Sequence, residues 1–218
     1  AQITDSYGNV SNASQDVEVT LSSTSSAGAF GLTSAGPWDI ASIIVYTGSN
    51  NTAFYYRDTV AGTYMLAMNE ISGLNWENDT QNITIKSAVI SQLVFITEPQ
   101  TLTAGIASDV VTIQARDQYE NPGVLESDTS IEVLTTSASG GFCVTSGGPW
   151  DTTLITLSAD NSSVSFYYYD TLAGTASITV RETPELSWTD AAQDEIVLPA
   201  SISKIVFSPS PQNMGVYL

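Results

Sequence analysis

Val164-Ser165-Phe166-Tyr167-Tyr168-Tyr169-Asp170-Thr171-Leu172-Ala173-Gly174-Thr175-Ala176-Ser177-Ile178-Thr179-Val180 is the stretch on which the fold class turns. Two runs rich in β-branched and aromatic residues flank a short turn, Asp170 to Gly174, and together they predict a β-hairpin. The stretch has an earlier image. Phe54-Tyr55-Tyr56-Arg57-Asp58-Thr59-Val60-Ala61-Gly62-Thr63 matches Phe166 to Thr175 at a separation of 112 residues. Gly36-Pro37-Trp38-Asp39 recurs as Gly148-Pro149-Trp150-Asp151, Trp76 as Trp188 and Pro99 as Pro211, all at the same 112. In a strand, alternate side chains face opposite ways, so Phe54 and Tyr56 are expected on one face and Tyr55 on the other.

Working outward, the second repeat predicts strands at Gln92-to-Ile96, Val110-to-Arg116, Ile131-to-Thr136, Leu154-to-Ser158 and Glu195-to-Leu198. Thr103-Ala104-Gly105 and Asp117-to-Gly123 read as turns. Nowhere do apolar residues keep helical spacing over three turns. Many short strands with regular turn signals imply an all-β chain of antiparallel β-sandwiches. The first repeat carries the same elements, with Val17-Glu18-Val19 matched to Ile131-Glu132-Val133 at 114, a slip of two residues.

The chain has 218 residues and a net charge of −18, from 23 acidic against 5 basic side chains. That balance disfavours nucleic acid and anionic membrane surfaces, since phosphate needs cationic partners. No apolar run approaches the length of a membrane-spanning helix, so no membrane insertion is expected. Cys143 is the single cysteine and lies in the apolar run Gly141-Phe142-Cys143-Val144, as a small buried hydrophobe. Six Asn-X-Ser/Thr sequons, at Asn9, Asn12, Asn50, Asn78, Asn82 and Asn161, are glycosylation candidates and favour an extracellular location.

Histidine is absent, which removes His-based triads and imidazole metal sites, so no catalytic residue is assigned and no enzyme is expected. The recurring pairs Asp58/Glu70 and Asp170/Glu182 have the residue types for glycoside hydrolysis, but polar hairpin rims produce such pairs as well. Asp5 with Asn9, and Asp117 with Asn121, offer oxygen donors at a turn. Calcium is the metal that suits them, and turn closure by the side chains themselves is the competing role. No other cofactor is expected. Trp38 and Trp150 read either as plugs over the sandwich end or as sugar-stacking platforms, with burial the favoured fate.

The phrase Leu93-Val94-Phe95, Pro99, Ala104-Gly105, Val110 to Ala115 and Asp117-Gln118-Tyr119-Glu120-Asn121-Pro122 resembles the immunoglobulin-like tandem repeats of bacterial and archaeal cell-surface proteins, such as adhesin stalks, S-layer parts and filament subunits. Asp5-Ser6-Tyr7-Gly8-Asn9 fits the family's Asp-x-x-Gly-Asn element, whereas Glu120 replaces its glycine. The resemblance implies two tandem immunoglobulin-like sandwiches, a structural role and a cell-surface location.

The expected domains are 1–90, a sandwich lacking its first strand; 91–202, a complete one; and 203–218, a strand belonging or donated to the next domain. Ser203-Lys204-Ile205-Val206-Phe207-Ser208 repeats Ser91-to-Ile96, the first strand of a domain. A sandwich without that strand leaves an edge that another chain can fill. The expected partner is therefore the chain itself, as a head-to-tail homopolymer through the polymerisation strand 203–208 or as one segment of a longer repeat chain. An adhesin or carbohydrate-binding module is the alternative.

Overall fold

The structure is a computed structural model, and it describes residues 1–184 and 187–207. Among these residues the only regular elements are strands, in antiparallel sheets with one parallel pairing, so the chain is all-β. It divides into two compact units, Ala1–Gln92 with Ala115–Val124, and Leu93–Gln114 with Leu125–Leu218.

The first unit has a four-stranded sheet in the order β3 (Ser42–Val45), β1 (Val17–Ser23), β5 (Gly62–Glu70), β6 (Asp79–Ile85). A two-stranded pair, β2 (Ala29–Gly31) with β4 (Tyr55–Arg57), completes it. β1 buries alternate residues, Val17, Val19 and Leu21, as its period-two pattern requires. These join Ala13, Phe30, Ile43 and Val45 in the core, with Phe54, Tyr56, Leu66 and Met68 packed half-buried around them. Tyr55 is exposed, so the face assignment of the aromatic run holds.

The second unit is larger. One sheet runs β12 (Leu154–Leu157), β10 (Thr129–Thr135), β14 (Gly174–Thr183), β15 (Ala191–Leu198), β8 (Thr101–Thr103). The other runs β11 (Gly141–Cys143), β13 (Ser163–Tyr169), β9 (Val111–Asp117), β7 (Ile90–Phe95), with the outer ends of β7 and β9 counted in the first unit. The faces of the two sheets bury Ile131, Val133, Leu157, Ile178 and Val180 from one side and Val111, Ile113, Phe142 and Phe166 from the other. β8 pairs in parallel with β15, whereas the other registered pairs are antiparallel.

The repeat is visible in the pairing itself. Val17 faces Val45 as Thr129 faces Leu157, and Gly62 faces Ile85 as Gly174 faces Val197. Val19 pairs with Ile43 and Glu70, whereas Ile131 pairs with Ile155 and Glu182. The true partner of Val19 is therefore Ile131, at the common offset, and the expected slip to 114 is corrected. A strand pattern repeats every two residues, so a two-residue displacement leaves the apolar and polar faces matched and hides in the sequence. β8 and β11 were not expected as strands, being only three residues long.

Candidate assembly site

The predicted polymerisation strand is placed as far as residue 207; Ser208 lies outside the described residues. Residues 203–207 form no strand and are exposed. Ile205 is 99% exposed and Phe207 95%. Leu93, at the same phase of the repeat as Ile205, is 2% exposed in β7. One position thus holds a core anchor in one copy and a bare apolar side chain in the other.

The first unit differs from the second in its strands. β7 and β8 have no counterpart there among the described residues, and β9 is reduced to the bridges Gln2 with Asn51 and Thr4 with Val10. Side chains at matching positions of the two units differ in burial. Phe166, Tyr168, Ile178 and Val180 are completely buried, while their images Phe54, Tyr56, Leu66 and Met68 are half-buried. Glu195 and Val197 on β15, beside β8, are buried, whereas their images Ile83 and Ile85 on β6 are half-buried. Glu195 is held by Gln100 N–H at 2.5 Å and by Gln193 Nε2 at 2.7 Å. Burial pushes its carboxyl up against the pull of those two donors. The first unit has Ile83 at that place, an apolar residue where the second unit has a buried carboxylate.

Each Asp–Asn pair is brought together. Asp5 Oδ1 accepts from Tyr7 N–H at 2.9 Å and Asn9 N–H at 2.8 Å, and Asp5 Oδ2 accepts from Asn9 Nδ2 at 3.0 Å. Asp117 takes the same three bonds from Tyr119 N–H at 2.8 Å, Asn121 N–H at 3.0 Å and Asn121 Nδ2 at 2.9 Å. The side chain and N–H of Asn9 draw the Asp5 carboxyl below its ordinary range. Burial raises Asp117, but the Asn121 side chain and the N–H groups of Ala88, Asn121 and Tyr119 outweigh it and leave it lowered. Chemically the arrangement closes a turn with one carboxylate. Among the described residues no group of three or more His, Cys, Asp or Glu side chains gathers where a metal would be held.

Glu120 and Gly8 show why the family pattern has glycine in this turn: their φ angles are 68° and 84°, both in the left-handed region. Glu120 offsets the strain with side-chain bonds to Gln92 Nε2 at 2.7 Å and Arg116 Nη1 at 3.2 Å.

The carboxylates weighed for catalysis have other partners. Asp170 Oδ2 accepts from the Tyr168 hydroxyl at 2.6 Å and Asp58 Oδ2 from Tyr56 at 2.5 Å. The same hydroxyls meet Thr135 at 3.2 Å and Ser23 at 2.9 Å. Glu182 accepts from Trp188 N–H, and Glu70 from Leu74 N–H. This buried Tyr–Asp clasp was not read from the sequence, although Tyr-x-Asp at 56–58 and 168–170 was its signal.

Trp38 and Trp150 are half-buried and engaged. Trp150 stacks on Tyr169 with ring centres 5.0 Å apart, and the Arg57 guanidinium sits 5.0 Å from the Trp38 ring centre. Position 57 and its image 169 thus solve one packing problem by cation–π contact and by stacking. Trp76 is more open, at 41%. Cys143 is buried as expected, its thiol drawn below the ordinary value by the Thr145 hydroxyl and N–H. Of the sequon asparagines, Asn9, Asn12, Asn78, Asn82 and Asn161 are exposed and Asn50 is half-buried.

No protein-family model matches the chain, and no curated protein matches it. Solved structures similar to it include domains 4 and 5 of the S-layer protein SbsC, at 16% identity over 91% of this chain and 80% of that one, with a TM-score of 0.36. Yersinia pseudotuberculosis InvD matches at 18% identity over 95% of this chain and 54% of that one, with a TM-score of 0.42. A β-glycosidase from Bacteroides vulgatus matches at 15% identity over 83% of this chain and 21% of that one, with a TM-score of 0.41. At such identities and scores the likenesses assign neither a family nor an activity.

Proposed function

We propose that the chain is a non-enzymatic structural link of an extracellular surface assembly, extended head to tail by strand complementation. Segment 203–208 of one link fills the groove left open in the first unit of the next, across a peptide bond or by insertion from a second molecule. The domain boundaries for this reading are 1–90, 91–202 and 203–218. The observation that carries it is the contrast between Leu93, buried in β7, and Ile205, bare at the same phase of the repeat. Burying an isoleucine in such a groove contributes roughly 1.5–3 kcal/mol, and a strand added at an open edge supplies main-chain hydrogen bonds as well.

The test is assembly of the purified chain as its concentration rises, followed by light scattering and electron microscopy. Ordered end-to-end oligomers that disappear in Ile205→Asp support insertion. A folded chain that stays monomeric at every concentration refutes insertion between molecules. The Asp–Asn turns are proposed to close by their own hydrogen bonds; a melting temperature that falls under chelator would assign them calcium instead.

A further inference from the structure

We infer that the Asp5-to-Asn9 turn is a docking face for the Thr171-to-Ala173 turn of a second copy of this chain. The inference rests on the head-to-tail reading and adds to it a second, polar contact. Within the first unit the corresponding contact is already made. Asn121 Nδ2 donates to the Thr59 carbonyl at 2.9 Å, and Ala61 N–H donates to Asn121 Oδ1 at 2.8 Å. Asp117 Oδ2 accepts from Ala88 N–H at 2.7 Å. One turn is thereby read by three main-chain groups, and Asp117 and Asn121 are buried.

Every participant has an image 112 positions away. Asn9 stands for Asn121 and Asp5 for Asp117, while Thr171, Ala173 and Ala200 stand for Thr59, Ala61 and Ala88. The Asp5 turn has the same internal bonds as the Asp117 turn, so it is already shaped for the contact. Yet it is exposed, and among the described residues the Asn9 side chain bonds only to Asp5. On the other side, Thr171, Leu172 and Ala173 are exposed, whereas Thr59 and Ala61 are half-buried. A carboxamide that both donates and accepts faces a carbonyl and an N–H in matching order. The occupant that fits is the same chain, because it alone carries both halves of a contact that the fold makes once internally. Docking would place Asn9 Nδ2 on the Thr171 carbonyl, Ala173 N–H on Asn9 Oδ1 and Ala200 N–H on Asp5 Oδ2.

The experiment mixes two single-cysteine forms of the full chain in a Cys143→Ser background and treats them with a short bismaleimide. Tyr7→Cys and Leu172→Cys place exposed thiols beside the two turns without removing a docking group. The expected result is a mixed cross-linked dimer, enriched about tenfold over a Tyr7→Cys and Asn161→Cys control because held proximity raises the effective thiol concentration. Asn9→Ala in the Tyr7→Cys chain should return the yield to the control. Equal yields with and without Asn9→Ala overturn the docking contact. If Ile205-dependent oligomers form without the enriched dimer, docking fails and strand insertion stands. If the dimer persists with Ile205→Asp in the Leu172→Cys chain, docking stands without insertion. If neither oligomer nor dimer forms, both are refuted.

Discussion

The Tyr168 hydroxyl donates to Asp170 Oδ2 at 2.6 Å with both residues completely buried, and the Tyr56–Asp58 pair repeats the bond in a half-buried setting. Tyr168→Phe would leave a buried carboxylate short of its donor. The expected loss is about 1–3 kcal/mol in denaturant unfolding, and less for Tyr56→Phe because water reaches that site. Burial, reinforced by the bond to Asp170, pushes the Tyr168 phenol up to about 12. A raised folded value favours the protonated form. The contribution is full below the unfolded value of about 10 and lost as pH rises through about 12. An alkaline titration that finds Tyr168 ionising with the exposed tyrosines would contradict this.

Glu195 behaves in the opposite sense to the turn aspartates. Burial raises its folded value, so its contribution is present in acid and lost as pH rises through that value. Glu195→Gln, with the Gln193 amide turned to match, is therefore expected to raise the melting temperature by a few degrees at neutral pH. The gain should shrink toward zero on acidification. Asp117 and Asp170 are lowered, so their contribution is present at neutral pH and lost as pH falls below the usual carboxylate range. Thermal melts across the acid range check both signs.

Gly8 and Glu120 share a left-handed backbone, and Glu120 has side-chain bonds to Gln92 and Arg116 that an alanine at position 8 would not make. A Cβ at Gly8 meets nothing within 4 Å, which isolates the conformational cost. Gly8→Ala is expected to destabilise the first unit by about 1–2 kcal/mol. An unfolding midpoint unchanged by the substitution would show that the turn tolerates the strain without cost.

Asn9 is both a sequon asparagine and the residue proposed to dock. A glycan on its amide nitrogen would remove the donor and crowd the face. Mass spectrometry of assembled native material is expected to find Asn9 unmodified, whatever the state of Asn78, Asn82 and Asn161. Full occupancy at Asn9 in ordered assemblies would contradict the docking contact.

The main strands were legible because their aromatic and β-branched runs are long enough to show alternation, as in Ser163–Tyr169. Thr101–Thr103 and Gly141–Cys143 escaped because three residues hold too little alternation to read. The two-residue misalignment at Val17 survived for a related reason, since period-two patterns match themselves when displaced by two. Asp5, Asn9, Asp117 and Asn121 were legible as turn formers, but their partners were not. Thr59 and Ala61 contribute main-chain groups, and a sequence does not display what a backbone carbonyl will bond. The buried setting of Glu195 was invisible too: a glutamate in a strand reads as a solvent-facing residue until its cover, β8, is known.

On the head-to-tail reading proposed above, a link whose segment 203–208 enters the first unit of the next would have direction. A polymer of such links would carry two chemically different tips, one presenting the half-buried Phe54 and Leu66 and the other an unburied Ile205. Growth would proceed by a different half-reaction at each tip. Length and anchorage would then depend on what caps them: a subunit that supplies a strand but has no groove of its own would terminate one end, and one with a groove and no strand would terminate the other.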